Sequence, residues 1–347
     1  MPLFRVVQPF LSRKNGAIGR ASPPVLSAHS PRLSKWLLFS FIPVQVYTSL
    51  ETRPLLYLQL QNNLAQWEYI SQQFPSQVVP ISFIRNKVDV ADFIVPFKGK
   101  FAGKSYDAPF PPRMEFPNYP ICAQFEDFIS STIIDRFKNA SLIFWGKVGE
   151  VQPPHLVMPI TVVPSKPRMC QDERFLNFWI KNCPFSLDYL SDLPRYVGPG
   201  HFQTVCDDKN GYDDICLSPP SGTLFGLSWK GCYFVYNTLP FGWKASAYVY
   251  HSTGLLAIII LELWACPAHN TSTIAMQASL WCAGNQTLQF GLILNWAQAT
   301  AFILVSVLTS LDYTLALSKS SLVQSQRVRF LGHFSDSVLM AFVLPED

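Results

Sequence analysis

The chain has 347 residues, 49% of them hydrophobic, and a formal net charge of +4. That apolar content supplies a real core for one large or two ordinary domains and excludes a wholly disordered chain. The mild basic excess suits a polyanion partner without demanding one. Eight cysteines at irregular spacings, with no Cys-x-x-Cys, favour neither a zinc site nor a disulfide framework. A reduced intracellular protein, cytoplasmic or nuclear, is the expectation.

In chain order, residues 1–72 read as a poorly ordered leader. Arg5, Arg13, Lys14 and Arg20 are mixed with Ser and Pro, without the basic start, apolar centre and small-residue cleavage site of an export signal. An apolar run at 36–47 is broken by Pro43 and is too short to span a bilayer, and a Leu/Gln-rich piece at 55–64 has the composition of one helix. Residues 73–185 read as an N-terminal extension and fingers. The aromatic, proline-rich stretch at 80–120 predicts extended segments and turns. Phe125, Phe128, Ile129, Ile133 and Ile134 recur at helical spacing and predict a helix over 122–139. After it, 141–146 and 155–163 read as two strands across a turn.

Three segments then carry chemistry. The first is Lys166-Pro-Arg-Met-Cys-Gln-Asp-Glu-Arg-Phe-Leu-Asn177. The second is Pro199-Gly-His-Phe-Gln-Thr-Val-Cys-Asp-Asp-Lys-Asn-Gly-Tyr212, an apolar strand ending in acids. The third runs from Phe225 to Tyr250, with a two-residue hairpin signal at Lys230-Gly231 and the loop Leu239-Pro-Phe-Gly-Trp-Lys244. In this order and spacing the series resembles the reverse transcriptases of retroelements, particularly the tyrosine-recombinase, DIRS-like class.

That resemblance implies an α+β fold, a polymerase palm and fingers with a palm at 186–347 and no complete thumb. It implies template-directed DNA synthesis with Mg²⁺, on an RNA or DNA template-primer with deoxynucleotides. Asp207 matches a catalytic metal ligand, and the backbone carbonyl of Asp208 lies in place to reach the same metal. Arg168 matches the residue that touches the triphosphate; a guanidinium bonds two phosphate oxygens at once. Tyr212 matches the floor under the sugar, and Phe241 and Gly242 the loop that presses the nucleotide into place. Lys319, within Leu311-Asp-Tyr-Thr-Leu-Ala-Leu-Ser-Lys-Ser320, matches the proton donor to pyrophosphate. Val328-Arg-Phe-Leu-Gly-His333 resembles the primer-grip hairpin.

One element is missing. Such enzymes carry Tyr-x-Asp-Asp on a hairpin beside the strand of Asp207, and no acid lies between Glu262 and Asp312. Tyr212-Asp213-Asp214 is no substitute, because a site clamping two ions needs carboxylates converging from separate strands. The codons for His269 to Ala275, read two bases later, can encode Gln-Tyr-Ile-Asp-Asp-Arg. The expectation is therefore a reading frame slipped over 258–297, a damaged palm sheet, and a degenerate, inactive polymerase or a non-catalytic nucleic-acid-binding relic. The uncharged run at 292–311 has the length of a membrane span, but its polar residues favour a buried amphipathic helix.

Overall fold

The computed structural model describes residues 8–9, 60, 64–73, 78–186, 190–195, 197–265, 287–292 and 294–345. A two-residue strand β1 (Gln8–Pro9) and helices α1 (Leu64–Gln73) and α2 (Val78–Asn86) precede the hairpin β2 (Phe97–Phe101) and β3 (Lys104–Ala108). Helix α2 overturns the expectation of extended chain from residue 80. Pro80 falls in its first turn, where the absent N–H has no helical partner to lose and the fixed φ suits a helix. Ile81, Phe83 and Ile84 then reach the core. The run at 36–47 and most of 55–64 lie outside the described residues.

Strand β4 (Met114–Glu115) leads through a turn at Pro120–Phe125 into α3 (Glu126–Lys138). Acids in its first turn, Glu126 and Asp127, and bases in its last, Arg136 and Lys138, suit the helix dipole. Strands β5 (Leu142–Lys147), β6 (Leu156–Val157), β7 (Ile160–Val163) and β8 (Arg168–Gln171), the short helix α4 (Arg174–Asn177), β9 (Phe202–Asp207), the short helix α5 (Pro219–Gly222), β10 (Gly226–Trp229) and β11 (Cys232–Tyr236) follow. The expected pairing of 141–146 with 155–163 does not form. Pro159, without an N–H for a ladder, splits the second run into β6 and β7. β6 then pairs with β10 and β7 with β8, while β5 pairs with β11, giving a sheet in the order β4-β6-β10-β11-β5. The β10–β11 turn is the hairpin the sequence signals: Lys230 and Gly231 both take left-handed φ, 46° and 73°.

Helix α6 (Ser246–Ala265) packs against α7 (Leu294–Ser310), and β12 (Thr287–Leu292), β9 and β13 (Ser321–Ser325) form a three-stranded sheet. Ala301, Leu304, Val305 and Leu308 of α7 are buried, so the uncharged run is an interior helix. Among the described residues no helix is long and apolar enough to cross a membrane. Part of the segment expected to damage the sheet beside Asp207 is described. β12, from inside the 258–297 segment, pairs with β9 from Thr287↔Asp207 to Leu292↔Phe202. Ladder bonds use groups that every residue except proline carries, so this pairing asks little of the side chains. The expected position of the lost box, 270–275, lies outside the described residues.

Last come β14 (Arg327–Phe330), β15 (His333–Asp336) and β16 (Ala341–Val343), in the order β1-β16-β15-β14. The β14–β15 hairpin is the one read from 328–333, turning at Leu331-Gly332. A small cluster of Leu193, Val197, Val205, Val328 and Phe330 fastens it to β9. The main core holds Trp67, Trp179, Tyr250, Phe175 and Phe225. An aromatic seam seats the β2–β3 hairpin on α4, with ring centroids 4.9 Å apart for Phe97 and Trp179 and 5.3 Å for Phe101 and Phe175. Each such pair adds about 0.5–1.5 kcal/mol beyond its buried area.

Candidate active site

The end of β9 and the bridge residue after it deliver Asp207 and Asp208 to opposite faces, because successive side chains of extended chain alternate. On one face, Lys319 brings its Nζ to 3.7 Å from Asp207 Oδ2, with the lysine side chain 75% exposed. The main chain fixes this approach. Asp207 N–H donates to Ser320 Oγ at 3.0 Å, and Ala316 N–H donates to the Asp207 carbonyl at 2.7 Å. Two of the residues named from sequence thus meet.

On the other face, Asp208 Oδ2 accepts a hydrogen bond from the Tyr250 hydroxyl at 2.6 Å. Burial pushes the Asp208 pKa up to about 7, against the Tyr250 hydrogen bond and with help from the Asp207 charge. Gly211 lies against both partners. A Cβ there would meet the Asp208 carboxylate and come within 2.5 Å of the Tyr250 ring, so the close approach requires glycine. Asn210, exposed and left-handed at φ 58°, opens the turn Gly211–Asp214.

Tyr212 stacks on Phe241 with ring centroids 4.6 Å apart and 33° between planes. Tyr212 is 6% exposed and Phe241 51%, so Phe241 roofs the Tyr212 ring. The Phe241 loop is held by Asn177, whose Nδ2 donates to the Gly242 carbonyl and whose Oδ1 accepts from Lys244 N–H, both at 2.8 Å. Arg168 stands exposed on β8 and forms no ion pair among the described residues. Nearby, Arg174 grips Asp172 at 2.6 Å and Tyr119 at 2.8 Å. Despite burial, these bonds hold Asp172 below the usual carboxylate range.

A pair of divalent ions needs oxygen ligands converging from separate strands. Opposite Asp207 stands Thr287, and residues 263–311 contain no Asp or Glu to take its place. Asp213 turns to Arg136 at 3.7 Å. Asp214 is fully buried without a hydrogen-bond partner among the described residues, and burial, with Asp208, Asp213 and Asp312 nearby, pushes it far above the carboxylate range. Among the described residues no group of three metal-ligating side chains forms. The residues present do not fit a two-Mg²⁺ centre.

Sequence reasoning did not single out Tyr250, Gly211, Asn177 or Thr287. Asn177 and Tyr250 end two of the motifs quoted above, but their partners are distant in the chain, and only the fold joins them.

No protein-family model matches the chain, and no curated protein matches it. Solved structures do. The foamy viral protease-reverse transcriptase in complex with RNA/DNA hybrid is similar at TM-score 0.54 and 19% identity, over 67% of this chain and 28% of that one. Its dRH form in complex with double-stranded DNA gives 0.52 and 17%, over 70% and 39%. The prototype foamy virus protein, as a CSH mutant, gives 0.51 and 17%, over 85% and 36%. The chain therefore spans well under half of each of these proteins. At such identities the likeness defines the fold alone, and that fold is reverse-transcriptase-like.

Proposed function

We propose that this chain is a reverse-transcriptase-like domain of the DIRS-like retroelement kind, with fingers at 73–185 and palm at 186–347, which binds nucleic acid but no longer copies it. The observation that carries the reading is the strand beside Asp207: Thr287 pairs with it, and residues 263–311 contain no Asp or Glu to supply a second carboxylate from that side. Arg168 on β8 and Arg327 and Arg329 on the exposed face of β14 supply cations for phosphates. The foamy viral neighbours were solved with an RNA/DNA hybrid and with double-stranded DNA, which supports an RNA or DNA template-primer as partner. Tyr212, Phe241 and Gly242 mark the former nucleotide floor.

Primer extension with Mg²⁺ and deoxynucleotides tests the loss of chemistry. The expected result is no extension above the Asp207→Asn variant; Mg²⁺-dependent extension that this variant abolishes overturns it. Duplex affinity, read by fluorescence anisotropy, should fall steeply with salt as phosphate contacts release counterions. Affinity indifferent to salt removes the binding half of the proposal. The frame slip at 258–297 is read from the nucleotide sequence of 250–310: without Tyr-Ile-Asp-Asp in the shifted frame, it did not occur.

A further inference from the structure

Glu173 is a carboxylic acid where a core residue belongs. It opens the turn that becomes α4, it is 2% exposed, and neither carboxyl oxygen has a hydrogen-bond partner among the described residues. Gln171 beside it is anchored through Nε2 to the Gly226 carbonyl at 2.8 Å, which leaves its own Oε1 buried and unpartnered. An ionised carboxylate in such a place lacks both water and a counter-charge, a cost of several kcal/mol in proteins.

The loop at 239–244 lies directly over this acid. A Cβ built on Gly242, itself left-handed at φ 97°, would sit 3.5 Å from Glu173 Cγ and 3.3 Å from the Gln171 carbonyl oxygen. The same short turn holds the loop down: Asn177 N–H donates to the Glu173 carbonyl at 2.9 Å, and the Asn177 side chain clamps Gly242 and Lys244. Seat and clamp are therefore one piece. One residue before Gly242, Phe241 covers Tyr212.

The charged and titratable groups around Glu173 offer it no cation. Asp172 faces it from its own segment and Tyr236 from β11, and behind Tyr236 stand Arg136 of α3, Asp213 and Cys170 of β8. Arg174 is turned to Asp172 and Tyr119, and Lys244 Nζ donates to the Ile180 carbonyl. Burial, with the Asp172 charge adding, holds Glu173 well above the usual carboxylate range.

We propose that Glu173 is a proton-held latch: as a neutral acid it seats the 239–244 loop, and loss of its proton to solvent lifts the loop and parts Phe241 from Tyr212. The latch operates whether or not the chain binds nucleic acid. Its sign follows from burial, since the seated loop favours the protonated form and rising pH therefore opens it.

Hydrogen–deuterium exchange of the full chain tests this at the peptide containing Lys244, with the β5 peptide as internal control. Corrected for intrinsic exchange, protection at 239–244 should fall by about tenfold or more between about pH 6 and about pH 9 while β5 holds. In Glu173→Gln, which keeps the shape and cannot ionise, the fall should vanish. Unchanged protection in the wild type, or an equal fall in the variant, overturns the latch. Should Glu173→Gln fail to fold, Glu173→Leu takes its place, and simultaneous loss of protection at 239–244 and β5 in the wild type overturns it without either variant.

Discussion

Strand β9 has a neighbour on each edge, and the two keep different things. On the β13 side charged side chains and backbone meet together: Lys319 approaches Asp207, and Ser320 and Ala316 bond its main chain. On the β12 side the contact is the backbone ladder, with Thr287 paired to Asp207. Backbone pairing tolerates almost any extended sequence, whereas a metal centre depends on particular atoms at particular positions. A sheet can thus be complete while its site is not.

The contrast puts the main weight of stability away from this sheet, in the aromatic seam under the β2–β3 hairpin. Phe175→Ala, which removes a buried ring in contact with Phe101, Tyr106, Phe116 and Trp179, should cost about 3–5 kcal/mol in urea unfolding. A cost below about 1 kcal/mol would return the weight to the β9 sheet.

Next in size is an effect of pH. Asp208, Asp214 and Glu173 all have folded pKa values above their unfolded ones, so the folded chain holds more protons. Their contribution is fully present below the unfolded carboxylate value of about 4 and is lost as pH rises through the folded values, about 7 for Asp208. Thermal unfolding should show a higher Tm near pH 5 than near pH 8, with a shallower fall in Asp208→Asn. A Tm that rises with pH over that interval would contradict the inward placement of these acids.

The smallest effect belongs to the site itself. Lys319→Ala should change stability by no more than about 0.5 kcal/mol, since its ion pair with Asp207 is solvent-screened. A larger loss in urea unfolding would show the β13 side to be structural as well as chemical.

Much of this was legible in the sequence where the signal is local. Lys230-Gly231 gave a turn, the spacing from Phe125 to Ile134 gave a helix, and the apolar run before Asp207 gave a strand. What failed was non-local. The run at 155–163 is strand-forming, but nothing in it names β10 as its partner, and Pro159 decided its division. The 258–297 segment shows no palm pattern, yet β12 is recruited because β9 offers an unpaired edge. Within the site, the pairing of Asp207 with Lys319 follows the motif resemblance. The inward turn of Asp208 to Tyr250 follows from strand alternation and could have been derived, whereas the burial of Glu173 could not.

Asn210 brings in a different clock. It is exposed, left-handed and followed by Gly211, the neighbour that least hinders attack of the backbone nitrogen on an asparagine side chain. Succinimide formation and hydrolysis there would place a new negative charge three residues after Asp207. Stored protein would then separate into charge isoforms, and the extra backbone atom of an isoaspartate beside the closely packed Gly211 would press on the Asp208–Tyr250 contact, so ageing would be felt first at this site.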